Sequence, residues 1–429
     1  MGGMFQTLRN AWKIPDLRKK IIITIALLII YRIGSFIPVP GLDPSAFEEL
    51  VGKGSLFGVI DMITGGAFQN ATIFAMSITP YINASIIMQL LCVAIPKLEM
   101  LQKEGEEGRK IIAKYTRYVG VLLGFLQAVG LYFGLGNNIQ AENPILSFFT
   151  VTLTFTAGTA FLMWLGEQIT EYGIGNGISL IIFAGIVSRG PSGAITLYSY
   201  YKGGNLGAGI IGIISIILIL AVFVALIAAV VWVQEAERRI PVQYAKRVVG
   251  RKMYGGQSSH IPIKLNLAGV IPIIFALSIM MFPSTIIGFI GASSTNKVVR
   301  FFVNWPNKLS YAIVSALLVI FFTFFYTMIQ FNPIEIANNM KKNGGFIPGI
   351  RPGKPTSDYI SKVLYRLTWF GAVFLALIQI FPSIVGKITG VSGVWFAGPG
   401  LLILVNVALE TIKQIESQML MRHYKGFLD

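Results

Sequence analysis

The chain has 429 residues, of which 54% are hydrophobic and only 13% charged, and its mean hydropathy is +0.69. Soluble domains carry about 25% charged residues, and here the apolar residues come in blocks, so a single large water-soluble core is excluded. The formal net charge is +16, and the distribution of that surplus along the chain bears on orientation.

Crossing a bilayer takes about 20 mostly apolar residues. The first such block, 21–39, follows a basic stretch. It ends in Pro38, Val39, Pro40 and Gly41 without a small-residue cleavage site, so it reads as a retained span rather than a signal peptide. A shorter apolar stretch at 56–68 is broken by Asp61, Gly65 and Gly66. Further blocks lie at 73–94, 115–135, 148–165 and, briefly, 174–187. The later ones are 208–233, 267–290, 311–330, 364–384 and 395–409. In the third block, Gly120 with Gly124 and Gly130 with Gly134 have the four-residue spacing that lets helices approach closely. Packing within a bundle is its default reading, and a subunit contact is the alternative. Cys92 is the only cysteine, which excludes an intramolecular disulfide and a cysteine-based metal site. The sequon at 70–72 is three residues long and carries little weight.

Lys and Arg concentrate in cytoplasmic loops. A ten-span reading places 27 of the 35 on one side, seven on the other, and Arg32 within the first span. Both termini are then cytoplasmic. The same count decides two doubtful segments. If 174–187 did not cross, the basic loop 238–264 would face outward, so this block is a span. If 56–68 did cross, every later loop would invert. It therefore enters the outer side and folds back as a short helix. Irregular backbone at membrane depth is tolerated only where protein buries it or water lines it, so this segment is a first hint of a pore.

Intramembrane charge usually marks transport chemistry, and here it is scarce. Arg32 lies toward the end of its span and is expected to snorkel to the interface. Glu167, Glu171, Glu235 and Glu410 fall near cytoplasmic ends. No chain of Asp, Glu or His runs through the blocks, which counts against a proton- or sodium-coupled transporter. His260 and His423 read as solvated loop residues. The glycines at 173, 175 and 177 follow a span rather than a strand and lack dinucleotide-binding spacing. No Walker sequence is present, so any drive comes from a partner or a gradient. Two cytoplasmic loops, 235–266 and 332–361, are longer and more basic than orientation alone requires, which suggests docking of a polyanion or an acidic partner.

Several runs together resemble the SecY family of protein-conducting channels. They are RIGSFIP at 32–38, ITPYI at 78–82, KEGE at 103–106, YTRY at 115–118, FLMWLGEQ at 161–168 and GIGNGI at 173–178. They continue with QSSH at 257–260 followed by Pro262, AGVIP at 268–272, Asn332 with Pro333, and PGIRPG at 348–353. The resemblance covers nearly the whole chain. It implies an all-α polytopic membrane protein with ten transmembrane helices in two inverted five-helix halves, 1–191 and 192–429, forming an hourglass channel. The segment 56–68 takes the place of the external plug, through Leu56, Phe57, Val59, Ile60, Met62, Ile63, Gly65 and Gly66. The apolar constriction falls by position on Ile78, Ile82, Ile182, Ile186, Ile274 and Ile403. Such a collar blocks ions by dewetting and offers a sliding peptide no fixed hydrogen bonds. Polar residues of a lateral gate fall near Asn83, Gln127 and Asn266.

The same resemblance implies a passive pore without cofactor, metal or catalytic residue, in the bacterial cytoplasmic membrane. Its implied partners are SecE and SecG homologues, the SecA motor ATPase, the ribosome, signal-bearing preproteins and membrane lipids. Lys246, Arg247, Arg251, Lys252, Arg351 and Lys354 are the expected docking residues. A small-solute transporter and an insertase without a sealed pore stand as alternatives.

Overall fold

A computed structural model describes residues 4–52, 61–135, 143–203, 210–244, 247–249, 252–254, 258–290, 301, 305, 309–389 and 398–425. Of the expected plug residues, Leu56, Phe57, Val59 and Ile60 lie outside this set, as do Lys246 and Arg251.

Helix dominates because the apolar blocks can satisfy their backbone within bilayer-spanning segments only by coiling. Six helices are long and apolar enough to cross: Glu106–Gly134, Pro144–Tyr172, Gly177–Lys202, Gly212–Glu235, Ser310–Lys342 and Lys354–Pro382. A seventh crossing arises if Thr79–Ala94 and Pro96–Lys103, bent by 102° at Ile95, are taken together. Pro96 explains the bend, since it has no N–H to continue the first helix. The helices Pro15–Gly34, Ile271–Ile290 and Pro399–Lys425 cover the other expected spans. The first begins six residues before its apolar block and the last runs well beyond its own, so charge is carried on both. The chain is thus a polytopic membrane protein, all-α in its spans.

Two compact units can be distinguished. The first comprises Met1–Ile216, Ser278–Tyr311 and Val385–Asp429. In it, Thr79–Ala94 packs on Glu106–Leu135, which packs on Pro144–Tyr172, which in turn carries Pro15–Gly34 and Gly177–Ser188; the last also meets Pro399–Lys425. Small residues make these approaches possible. A Cβ at Gly120 lies 3.5 Å from the Cα of Tyr81, and one at Gly124 lies 3.7 Å from Pro80 and Thr159, so that pair serves packing within the bundle.

The glycine-rich run 173–178 is a tight connection. Gly175 has φ 91°. A Cβ on Gly177 falls 1.9 Å from the Gly166 carbonyl oxygen. Around them, Thr24 Oγ1 accepts from the Ile174 N–H at 3.0 Å and Thr170 Oγ1 from the Gly177 N–H at 2.9 Å. Asn176 caps the next helix by accepting from the Ser179 N–H at 3.2 Å.

The second unit comprises Ile217–Leu277 and Ala312–Ile384. Its loop 235–266 folds into strands: β1 (Glu237–Tyr244), β2 (Arg247–Val249), β3 (Lys252–Tyr254) and β4 (Ser258–Lys264). β1 pairs antiparallel with β4, Glu237 opposite Lys264 and Gln243 opposite Ser258, and on its other edge with β5 (Gly345–Phe346). Ile240 and Val242 alternate inward along β1 and join Ile263, Met340, Ile347, Ile360 and Leu364 in one core. Asn332 caps the helix Pro333–Lys342 by accepting from the N–H groups of Ile334 and Glu335, with Pro333 where a missing donor costs nothing.

Candidate functional site

The described part of the expected plug segment is residues 61–68. Residues 61–64 form a single helical turn, followed by turns to residue 78. Gly65 and Gly66 adopt φ 67° and 92°, conformations open to glycine without strain. Met62 and Ile63 are half-buried, and both glycines are buried. The turn packs directly on the end of the helix Gly177–Ser188. A Cβ at Gly185 falls 2.1 Å from the Ile63 carbonyl oxygen, and one at Gly65 falls 2.3 Å from Ser188 Oγ.

Polar groups hold this turn from three sides. Asp61, with its side chain 4% exposed, pairs with the Arg189 guanidinium. Its Oδ1 also accepts from the Gln69 N–H at 2.8 Å, while Arg189 Nη2 donates to Gln69 Oε1 at 3.1 Å. From the first span, the Tyr31 hydroxyl donates to the Thr64 carbonyl at 3.1 Å. Arg32 Nη1 donates to the Gly65 carbonyl at 3.0 Å and to Ser188 Oγ at 3.2 Å. Arg32, expected to snorkel, thus has partners within the protein. Its guanidinium also lies over the Phe36 ring, 4.5 Å from the centroid. The sequence signal was available, because Asp61 is an acid inside an apolar stretch and such a charge needs a partner. Its pairing with Arg189 was not readable, since 128 positions separate them.

Five of the six expected collar residues lie in the first unit. Ile78 and Ile82 stand one turn apart, with the Ile82 N–H donating to the Ile78 carbonyl at 3.0 Å. Ile78, Ile182, Ile186 and Ile403 are buried and Ile82 is half-buried. Ile182 and Ile186 share a face of the helix that meets Pro399–Lys425, the helix of Ile403. Ile274, half-buried on Ile271–Ile290, belongs to the second unit.

Asn83 is buried, and its Oδ1 has no hydrogen-bond partner among the described residues; Gln127 is half-buried. Asn266, buried in the second unit, donates to the Gly269 carbonyl at 3.0 Å, and its Oδ1 also lacks a partner among the described residues. A buried unpaired acceptor costs about 1–3 kcal/mol, so both amides hold back an unused acceptor.

Among the docking residues, Arg247 and Lys252 sit on the β2–β3 pair, with Arg247 opposite Tyr254 and Lys252 opposite Val249. Arg351 and Lys354 are exposed. The turn presenting them is fixed by Gly349 and Gly353, at φ 80° and 100°, and by Thr356 Oγ1 donating to the Arg351 carbonyl at 2.8 Å.

The SecY family model matches residues 72–412. A protein translocase subunit SecY from Halalkalibacterium halodurans is 48% identical over 436 residues, covering 99% of this chain and 100% of that one. The chain belongs to the SecY family. Solved structures agree on the fold. A protein-conducting channel aligns with a TM-score of 0.62 at 20% identity, over 94% of this chain and 92% of that one. Sec61 in a canine ribosome–channel complex from the endoplasmic reticulum aligns at 0.60 and 18%, with the same coverage. In this chain RIGSFIP supplies Arg32 and ITPYI opens the helix that bears Ile82.

Proposed function

We propose that this chain is the pore-forming subunit of a protein translocase in the bacterial cytoplasmic membrane. It has ten spans, both termini in the cytoplasm, and two inverted halves, 1–191 and 192–429. Such a repeat is defined by topology, whereas the two compact units are defined by contacts, so their bounds differ. An unfolded preprotein enters from the cytoplasm, displaces the segment 56–68 and threads a collar of Ile78, Ile82, Ile182, Ile186, Ile274 and Ile403. Apolar segments leave sideways past Asn83, Gln127 and Asn266. The chain performs no chemistry itself. SecE and SecG homologues complete the complex, and the SecA motor ATPase or a translating ribosome supplies the drive through Lys246, Arg247, Arg251, Lys252, Arg351 and Lys354.

The observation that carries this reading is the end-to-end likeness to a translocase subunit at 48% identity. The seating of residues 61–66 against the fifth expected span supports it. The test is photocrosslinking from a stalled secretory chain to a probe at Ile82 in the reconstituted complex. Crosslinks along successive positions of the stalled chain are expected. Crosslinks confined to one apolar segment would favour an insertase, and none at all would remove the pore.

A further inference from the structure

The plug reading does not explain the buried charge beneath it. Two guanidinium groups converge on one short turn that holds one carboxylate. Arg32 takes the Gly65 carbonyl, while Arg189 takes Asp61 and Gln69. A loop needing only to be fixed in place is already held by the Tyr31, Arg32 and Ser188 bonds to the carbonyls of residues 64 and 65. The Asp61–Arg189 pair is additional, with the carboxylate side chain 4% and the arginine side chain 20% exposed.

We propose that Asp61 and Arg189 form a hydration-sensitive latch that holds the plug shut, and that channel opening requires their separation. The proposal rests on the plug reading above. An ion pair at low effective dielectric is many times stronger than the same pair in water. Removing one partner of a buried pair leaves the other stranded without water. While the turn stays seated, the pair keeps its partly buried surroundings and resists small displacements of the turn. Once the turn lifts enough to admit water, both charges hydrate and the attraction collapses. Closed and open states are then separated sharply, and a half-displaced plug is the least stable arrangement. Gln69 tightens the switch, because its backbone N–H and its side-chain oxygen bind the two halves of the pair. Arg32 bonds to the Gly65 carbonyl and the Ser188 hydroxyl rather than to the carboxylate, so it holds the seated turn without taking part in the ion pair.

The test uses the translocase complex in proteoliposomes and planar bilayers. Asp61→Asn and Arg189→Gln are each expected to raise resting ion conductance by at least about tenfold. Arg189→Lys keeps the charge and is expected to retain most of the seal. Thermal midpoints within a few degrees of the parent establish that these variants fold. A second arm replaces Gln69 and Arg189 by Cys in a Cys92→Ser background and joins them with a short, cleavable thiol crosslinker. Bridged protein is expected to lose preprotein translocation, and cleaving the linker to restore it. Translocation at the parental rate with the bridge intact would make the turn a fixed base and overturn the latch. Parental conductance in Asp61→Asn would do the same. Deleting residues 56–68 separates the two ideas. If the deletion leaks while Asp61→Asn does not, the latch alone fails; if the deletion does not leak, the plug reading fails first.

Discussion

Gly185→Ala tests the seating of the plug without touching its charge. A methyl at this position falls 2.1 Å from the Ile63 carbonyl oxygen, 3.1 Å from its carbon and 3.2 Å from the Tyr31 hydroxyl. Gly185 is helical, and its own backbone accepts alanine without strain. The cost therefore falls on the contact. To reach an ordinary van der Waals distance the turn at Ile63 must retreat by roughly an ångström, and overpacking of this kind typically costs about 1–3 kcal/mol. Since each 1.4 kcal/mol is about tenfold in an equilibrium, the seated state should lose about 5- to 150-fold in occupancy. Resting conductance in planar bilayers should rise correspondingly, while Gly→Ala favours the helix itself by about 1 kcal/mol and keeps the thermal midpoint near the parent. Parental conductance in a normally folded Gly185→Ala channel would refute the reasoning, because the turn could then yield without unseating.

Three further outcomes are expected. Replacing Ile82 and Ile186 together by Gly should widen the collar and raise ion leak in the same bilayer assay; unchanged conductance would count against the collar. Arg351→Glu should reduce motor- or ribosome-driven translocation, and ribosome affinity of the parent should fall as salt rises, because phosphate contacts release counterions. Measured affinity independent of salt would remove this docking role. Thr24→Val should lower the thermal midpoint in detergent by an amount corresponding to about 1–3 kcal/mol, because the buried Ile174 N–H loses its acceptor; an unchanged midpoint would mean that another group takes its place.

Most of the architecture was legible because bilayer and charge impose coarse rules. Apolar blocks located the helices, and most of the short block 174–187 lies in the helix Gly177–Lys202, long and apolar enough to cross. What escaped had a different physical origin. The strands in 235–266 carry alternation only at Ile240 and Val242, too short a signal beside the basic residues around them. Their pairing to Gly345 depends on a segment a hundred residues away. The glycines at 173, 175 and 177 were excluded as a phosphate loop. Their actual task, bringing two helix ends within backbone contact, depends on Gly166 and Thr24 and has no local pattern. The partners of Arg32, a carbonyl and a hydroxyl, come from residues 33 and 156 positions away and leave no local pattern.

The sheet built from the segments 235–266 and 332–361 has a mechanical consequence. β1 binds β4 along one edge and β5 along the other, so the two basic loops are joined in one sheet. A push delivered at Arg351 cannot bend one loop alone. Hydrogen bonds near Gln243 and Phe346 pass the load across, and the common core of Ile240, Ile347 and Ile360 stiffens it. Four helix ends, near residues 235, 271, 330 and 354, then receive the force together. Any load on this surface acts on a single rigid handle.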